Sequence, residues 1–206
     1  MVQQLHDSSK TRWRKPPRPS IIEDMIIFFG PAGAGKSVQG QILAARMGWR
    51  WLSAGQLLRD THDKELIHVM NEGGLVESSK VDQLFSEAFK KADKISTVIV
   101  DGYPRELVQA KWLVKSQPEH GRAIKLIVVL EVPRAELLKR LELRGRADDT
   151  PEAIDTRLNI YRQEIYPILT FLAGEGVPVA HIDGVGTVGQ VHDRIVEELT
   201  ARGLTD

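Results

Sequence analysis

A glycine-rich octapeptide directly after an apolar run constrains the fold of this chain more than any other feature. Residues 30–37 read Gly-Pro-Ala-Gly-Ala-Gly-Lys-Ser and fit the pattern G-x-x-x-x-G-K-[ST]. The residues before them, 25–29, are all apolar, and an amphipathic segment follows. Glycines permit a compact turn whose backbone N–H groups converge on phosphate oxygens, and the helix that follows adds the positive end of its dipole. The octapeptide therefore predicts a strand, a phosphate-binding loop and a helix in succession.

Three side chains carry the chemistry expected of such a loop. Lys36 supplies a mobile positive charge for the β- and γ-phosphates, and the Ser37 hydroxyl is a ligand for Mg²⁺. The apolar run 97–101 ends in Asp101. A buried strand would place that carboxylate at the carboxyl edge of the sheet, where ligands bind. Asp101 is therefore predicted to hold Mg²⁺ directly or through water; the alternative is that it caps the next helix.

Five short apolar runs predict the strands, at residues 25–29, 49–52, 97–101, 125–131 and 179–182. The first, third and fourth are almost continuous in Ile, Val, Leu and Phe, which is typical of parallel strands covered on both faces. Amphipathic segments separate the runs. This alternation predicts an α/β fold, a doubly wound three-layer sandwich with right-handed crossovers.

Helix ends are marked by glycine, proline and capping residues. The predicted helices run from Gly35 to Gly48, from about Arg105 to Ser116 before Pro118, from Thr150-Pro151 to about Gly174, and onward from a capping box at Thr187 and Gln190. Four residues of the first helix are predicted to face the core: Val38, Ile42, Ala45 and Met47.

Composition excludes several classes of protein. The 28 basic residues balance the 28 acidic ones, so no global field attracts nucleic acid or a membrane surface. The lack of cysteine excludes disulfides and Cys-ligated zinc. No apolar run approaches the roughly 20 residues that span a bilayer, and no secretory signal is evident. We therefore expect a cytoplasmic protein with no nucleic-acid partner, no membrane partner and no zinc.

The first 20 residues differ from the rest of the chain. They contain five basic residues and three prolines against one acid. This composition predicts a disordered basic, proline-rich extension before a single domain over residues 21–206. A docking arm for an acidic partner and a remnant of targeting are the alternatives.

Arginines are numerous outside the glycine-rich loop. Phosphoryl transfer depends on positioning and on neutralising charge, and an arginine at the transferred group can be worth roughly 10³–10⁵ in rate. Three arginines and Lys139 lie within residues 139–146 beside a single acid. The candidates are Arg59, Arg105, Arg140, Arg144, Arg146 and Arg157.

Several segments, in this order, resemble the adenylate kinase and UMP/CMP kinase family. They are residues 30–39, 52–59, 73–76, 100–105 with the motif Asp-Gly-Tyr-Pro-Arg, 146–149 with Arg157 and Tyr161, and 182–184. The resemblance covers about residues 25–200, and Asp-Gly-Tyr-Pro-Arg behind a phosphate loop is highly specific. It implies a P-loop NTPase fold with a five-stranded parallel sheet in the order 2-3-1-4-5. It also implies an acceptor-binding flap at about 53–80 and a very short lid at about 140–149.

The same resemblance implies site residues for a kinase that moves the γ-phosphoryl group of Mg²⁺-bound ATP to a nucleoside monophosphate. Those on the ATP side are Gly30, Gly33, Ala34, Gly35, Lys36, Ser37, Val38, Arg140, Gly184 and Gly186. Those on the monophosphate side are Ser53, Ala54, Arg59, Gly74, Leu75, Val76, Gly102, Arg105, Gln109, Arg146 and Arg157. Lys36, Arg105, Arg140, Arg144, Arg146 and Arg157 would be catalytic. The prediction that Ser37 and Asp101 bind the metal rests instead on the general phosphate-loop pattern and on the end of the third strand. The family is mostly monomeric, so a monomer is expected.

The chain departs from the family pattern at four places. Ser37 and Val38 stand where the family has Gly-Thr, the flap is several residues shorter, and the lid is almost absent. At the acceptor site Gln109 matches adenylate kinases, whereas Ala54 matches UMP/CMP kinases. Gln109 favours AMP because its amide can pair with an adenine edge. A UMP/CMP or broad-specificity kinase is the main alternative, and a nucleotide-binding regulatory module or an ATPase is the alternative from another class.

Overall fold

A computed structural model describes residues 23–71, 74, 76–144 and 151–205. Its strands are β1 (Glu23–Phe29), β2 (Arg50–Ser53), β3 (Thr97–Asp101), β4 (Arg122–Glu131) and β5 (Val179–Asp183). Its helices are α1 (Lys36–Met47), α2 (Ala54–Asp60), α3 (Lys64–Asn71), α4 (Ser78–Lys91), α5 (Leu107–His120), α6 (Arg134–Arg144), α7 (Pro151–Gly174) and α8 (Val188–Ala201). The predictions for residues 1–20, Gly73, Leu75 and 145–150 lie outside the described residues.

The five strands form one parallel sheet in the order β2-β3-β1-β4-β5, which confirms the predicted topology. β1 lies at the centre, and its residues Met25–Phe29 are at most 4% exposed. The register pairs Asp101 at the end of β3 with Phe28 of β1 and with Ser53 of β2. The carboxyl ends of these strands therefore meet at one edge of the sheet.

Helices cover both faces of the sheet and divide the core into two clusters. Met25, Ile27 and Phe29 of β1 pack with residues of α4, α5 and α7. Ile26 and Phe28 point the other way and pack with residues of α1, α6 and α8. This alternation along β1 is the period of two expected of a strand. It confirms the predicted three-layer arrangement.

The sheet extends beyond the predicted strand limits where polar residues pair with each other. β4 begins at Arg122 rather than at residue 125, because Arg122 lies beside Glu23 of β1 in the register. The Arg122 guanidinium is buried and lies 2.5 Å from the Glu23 carboxylate. It also donates to the carbonyls of Ala92 and Ile95. Because Arg122 has these partners it can be buried within the sheet, and β4 therefore begins before its apolar residues.

The buried face of α1 differs from the prediction. Val38 is 47% exposed, and Ala45 is also exposed. The predicted residues Ile42 and Met47 are half-buried, and the buried residues are Gln39, Gly40 and Leu43. Gly40 explains the shift, because a Cβ there would lie 2.6 Å from the Trp51 ring. The helix approaches the sheet at its smallest residue rather than at its most apolar ones.

Helix α5 continues through Pro118 and ends at His120, whereas the prediction ended it before the proline. Proline removes one N–H and crowds the carbonyl four residues earlier, which here belongs to Val114. The Gln117 side-chain amide donates to that carbonyl at 3.4 Å. Gly121 then ends the helix with φ 61°. The predicted ends of α1 at Gly48 and α7 at Gly174 and the capping box at Thr187 are confirmed.

In the described part of the chain no helix has both the length and the apolarity to cross a bilayer. Trp49, Trp51 and Trp112 all lie against the buried clusters.

His120 is packed where α5 ends. Its ring lies against Phe89 and Trp112, with centroid separations of 5.2 and 5.9 Å. Both ring nitrogens are buried and make no hydrogen bond within the described chain. Burial lowers the pKa of His120 because the apolar surroundings disfavour the charged imidazolium.

The position of His120 predicts a pH-dependent stability. The folded state favours the neutral ring, so its contribution is full above the unfolded pKa of about 6.5 and is lost as pH falls below it. We expect the Tm to fall between about pH 7.5 and 5.0, and to fall less steeply in His120→Phe. His192, whose pKa burial also lowers, accounts for part of the remaining slope. Thermal melts across that pH range, with the exposed His62→Asn as control, test this. A His120→Phe profile parallel to wild type would contradict it.

Candidate active site

The loop between β1 and α1 has the backbone that its glycines were expected to permit. Gly33 and Gly35 have φ values of 85° and 97°, in the left-handed region that favours glycine. A Cβ on Gly30 would lie 3.0 Å from the Leu130 carbonyl oxygen, and one on Gly33 would lie 3.0 Å from Leu141 Cγ. The loop thus packs against β4 and α6 too closely for side chains at these positions.

Lys36, the first residue of α1, folds back over the loop. Its ammonium donates to the carbonyl oxygens of Gly30 at 2.6 Å and Pro31 at 3.0 Å. The positive charge is therefore held at the mouth of the loop, beside the N-terminal end of α1. Positive charge, backbone N–H groups and a helix dipole at one place form a site for an anion.

Ser37 and Asp101 come together although 64 residues separate them. The Ser37 hydroxyl donates to the Asp101 carboxylate at 2.6 Å. Asp101 is the last residue of β3 and is only 3% exposed. A hydroxyl and a carboxylate are hard oxygen donors, and Mg²⁺ binds proteins through one or two such groups together with phosphates and waters. The described residues contain no cluster of three or more His, Cys, Asp or Glu that could hold a metal alone. The pair therefore fits Mg²⁺ bound together with a phosphate.

Arg59 and Arg105 lie over neighbouring small residues. A Cβ on Gly102 would lie 3.4 Å from Arg105 Nη2 and 3.7 Å from Ala54 Cβ. A Cβ on Gly55, the next residue after Ala54, would lie 3.4 Å from Arg59 Nη1. Both arginines are exposed, and Arg105 also donates from Nε to the Gly102 carbonyl at 3.0 Å. The surface of Ala54, Gly55 and Gly102 thus carries two guanidinium groups at the carboxyl ends of β2 and β3.

The buried side chain of Tyr103 anchors the segment between Gly102 and Arg105 to the core. The Tyr103 ring is fully buried and stacks on Phe85 with centroids 4.2 Å apart. Its hydroxyl donates to Asp82 at 2.6 Å. Burial raises the pKa of Tyr103 and that of Asp82, so the hydroxyl keeps its proton as the donor. The Tyr103-Pro104 peptide is cis.

Gln109 is buried, and both the oxygen and the nitrogen of its side-chain amide make a hydrogen bond. Its Oε1 accepts from the Arg105 backbone N–H at 2.7 Å, and its Nε2 donates to the Ser78 hydroxyl at 3.4 Å. The predicted base-reading residue is therefore linked directly to the predicted phosphate-binding residue. Ser78 itself donates to Glu106, the N-cap residue of α5.

Arg140 reaches from α6 to the loop after β5. Its Nη2 donates to the Gly184 carbonyl at 3.0 Å, and its Nε donates to Glu136 at 2.8 Å. Gly184 is closely packed, since a Cβ there would lie 2.6 Å from Val132. Gly186 in the same loop has φ 123°. The structure therefore brings Arg140, Gly184 and the phosphate loop to one side of the site.

Several predicted residues are placed only in part. Arg144 ends α6 and Arg157 lies within α7, but the structure does not describe their side chains. Leu75 and Arg146 lie wholly outside the described residues. Val76 is 8% exposed, and Gly74 is exposed. Ser53 is the N-cap of α2 and ends β2. Val38 faces away from the core beside Ser37, as described above.

Sequence reasoning missed three groups that support the site. Arg194 of α8 donates to the carbonyls of Asp183 and Val185 at 2.7 and 2.6 Å, and so holds the loop after β5. Gln39 of α1 binds the Val188 carbonyl and the His192 ring of α8. Ser78 and Glu106 are the third group. Each looks in the sequence like an ordinary polar residue of a helix or of a helix start, so no local signal distinguishes it.

Comparison with known proteins agrees with this geometry. The sequence model of the family described as adenylate kinase matches residues 28–177. A protein of Mycobacterium leprae strain TN named adenylate kinase is 36% identical over 180 residues, covering 84% of this chain and 98% of its own. A Thermus thermophilus protein with the same name is 37% identical over 180 residues, covering 82% of this chain and 94% of its own. The chain belongs to the adenylate kinase family.

Proposed function

We propose that this protein is an adenylate kinase that converts ATP and AMP into two molecules of ADP. The observation that carries the proposal is the junction at the end of β3. Asp101 accepts a hydrogen bond from Ser37 of the phosphate loop, and the next residue, Gly102, lies against the Arg105 guanidinium. One strand end therefore joins a site for a donor phosphate to a site for an acceptor phosphate.

On the donor side the loop and Lys36 would hold the ATP phosphates. Lys36 would exchange its contacts with the Gly30 and Pro31 carbonyls for contacts with phosphate oxygens. Gly184, Gly186 and Arg140 would contact the rest of ATP from the side of β4 and β5. The proposal for Gly30, Gly33, Ala34, Gly35 and Val38 rests on their place in or beside the same loop.

On the acceptor side Arg59 and Arg105 would bind the phosphate of AMP. Guanidinium groups suit this task because their planar N–H groups match phosphate oxygens in pairs. Arg105 is restrained by its bond to the Gly102 carbonyl and by the Gln109 contact to its backbone. Ser53, Ala54, Gly74, Leu75, Val76 and Gly102 would form the surroundings of the monophosphate.

The chemistry needs alignment more than it needs an acid or a base. An anionic oxygen of the AMP phosphate attacks the γ-phosphorus, and the bond from that phosphorus to the β–γ bridging oxygen breaks. The bridging electron pair stays on ADP, so no proton has to move. Catalysis then comes from in-line positioning and from fixed positive charge around the transferred group. Arg144, Arg146 and Arg157 are proposed to supply part of that charge.

Ser37 and Asp101 would hold Mg²⁺ at the ATP phosphates, directly or through water. The ion would supply charge neutralisation of the phosphate oxygens. The 2.6 Å contact between the two side chains supports a shared role at this point. That the protein acts as a monomer in the cytoplasm stays a prediction.

A panel of acceptors tests the proposed reaction. With saturating ATP and Mg²⁺, we expect kcat/KM for AMP to exceed that for CMP, UMP and dCMP by about tenfold or more. The Gln109 amide can pair with the adenine edge but not, in the same orientation, with uracil, and the preference over cytosine is expected because the relatives are named adenylate kinases. Product nucleotides are measured by ion-pair chromatography. A preference for CMP or UMP would instead support a UMP/CMP kinase. ATP turnover that no monophosphate stimulates would support an ATPase or a regulatory module.

Two charge-removing variants test the assignment of the donor and acceptor groups. We expect Lys36→Ala and Arg105→Ala to lower kcat by about 10²-fold or more, because Lys36 would lie at the donor phosphates and Arg105 at the acceptor phosphate, and each variant removes fixed positive charge there. Lys111→Ala and Arg202→Ala, exposed charges on α5 and at the end of α8, are the matched controls. Circular dichroism and Tm establish that each variant is folded. Near wild-type turnover in either folded site variant would remove that residue from the proposed machinery.

The metal assignment is tested through Ser37. We expect Ser37→Ala to raise the Mg²⁺ concentration for half-maximal activity by about tenfold, because a metal-orienting oxygen is lost. Ser37→Thr keeps the hydroxyl and is the control. Magnesium titrations at fixed ATP give the readout. Equal magnesium dependence of wild type and both variants would show that the Ser37 hydroxyl plays no part in metal binding.

A further inference from the structure

We propose that Ser78 and Glu106 form a pair that orients the Gln109 amide, and thereby makes the acceptor site select a 6-aminopurine over a 6-oxopurine. The inference rests on the proposed AMP kinase function and adds two specificity-determining residues to it. Neither residue belongs to the phosphate loop or to the arginines that would bind the phosphates.

The orientation of a glutamine amide decides which base it reads. Adenine presents an amino donor at position 6 beside an acceptor at N1, whereas a 6-oxopurine presents an acceptor beside an N–H donor. A glutamine has one acceptor oxygen and one NH₂ donor, so turning the amide over exchanges the two patterns. A glutamine at this position selects adenine only if its amide cannot turn over.

The structure places a contact on each end of that amide. The Arg105 backbone N–H can only donate, so it requires the Gln109 oxygen on its side, where Oε1 lies 2.7 Å away. The Ser78 hydroxyl lies 3.4 Å from Nε2 on the other side. The amide oxygen accepts two hydrogen bonds and the NH₂ group donates two, so each retains one for a base edge.

Glu106 determines whether the Ser78 hydroxyl acts as a donor or as an acceptor toward Gln109. A serine hydroxyl has one proton, and an ionised carboxylate only accepts. Since Ser78 donates its proton to Glu106, the lone pairs of its oxygen are left for Gln109. Without that carboxylate the Ser78 proton could turn toward Gln109 and favour the oxygen of a reversed amide. Glu106 thus acts on the base site through Ser78.

The position of the pair in the fold connects it to the flap. Ser78 is the first residue of α4, at the end of the proposed acceptor flap, and Glu106 is the N-cap of α5 in the core. Both side chains are half-buried beside an open cavity of about 540 Å³ whose lining includes Val76, Asp82 and Val108. The contact therefore joins the end of the flap to the helix that carries Gln109.

The test compares AMP and IMP as acceptors for the full-length protein. Initial rates are measured for wild type, Ser78→Ala, Glu106→Leu and the control Ser79→Ala, whose hydroxyl donates to Glu77 instead. We expect the ratio of kcat/KM for AMP to that for IMP to fall by about tenfold in Ser78→Ala and in Glu106→Leu, which has no acceptor for the Ser78 proton. The KM for ATP should stay within about twofold of wild type in both, and Ser79→Ala should keep the wild-type ratio.

The outcomes separate this inference from the proposed function. A wild-type protein that does not phosphorylate AMP removes the proposed function and the inference with it. A wild type active on AMP, with AMP-to-IMP ratios unchanged in both folded variants, overturns only the inference. A lower Tm with equal losses on both acceptors also overturns it, because the pair would then be structural. Glu106→Leu keeps a similar side-chain size without an acceptor and decides the matter if Ser78→Ala does not fold.

Discussion

The parallel pairing of β1 with both β3 and β4 is the constraint on which the rest of this structure depends. Parallel strands end at the same edge of their sheet, so the register that joins Phe28 to Asp101 also brings the phosphate loop beside that carboxylate. The second neighbour, β4, lies against the loop, where Leu130 leaves no room for a side chain on Gly30. The core residues of β1, buried on both faces, hold this arrangement. The chemistry of the site is therefore a consequence of strand order and register.

The parts of the fold that were predictable from sequence are those with a strong local signal. The continuous apolarity of β3 defines both of its ends, and the Thr187 and Gln190 capping box defines the start of α8. Two of the errors arose where a distant residue decides the outcome. Arg122 extends β4 because Glu23 lies beside it, and α1 turns its Gly40 inward because Trp51 of β2 lies there. Neither partner can be identified from local hydrophobicity.

The candidate site likewise has a part that could be predicted from the sequence and a part that could not. The phosphate loop and the arginines of the acceptor side have residue types and spacings that point to phosphate, so they could be named before the structure. The polar contacts that position them could not. Ser78 and Glu106 are polar residues at helix starts, where such residues more often cap a helix than support a site, and Arg194 lies in the middle of α8, where an arginine is usually solvated. Their roles depend on contacts with Gln109 and with the loop after β5.

The bonds of Lys36 to the Gly30 and Pro31 carbonyls affect how the loop discriminates among anions. An incoming ligand must compete with two carbonyl dipoles for the ammonium. A ligand with a single anionic atom offers one contact for the two that it would replace, whereas a polyphosphate offers several oxygens at once. The loop's own carbonyls are thus intramolecular competitors for any anion that approaches Lys36.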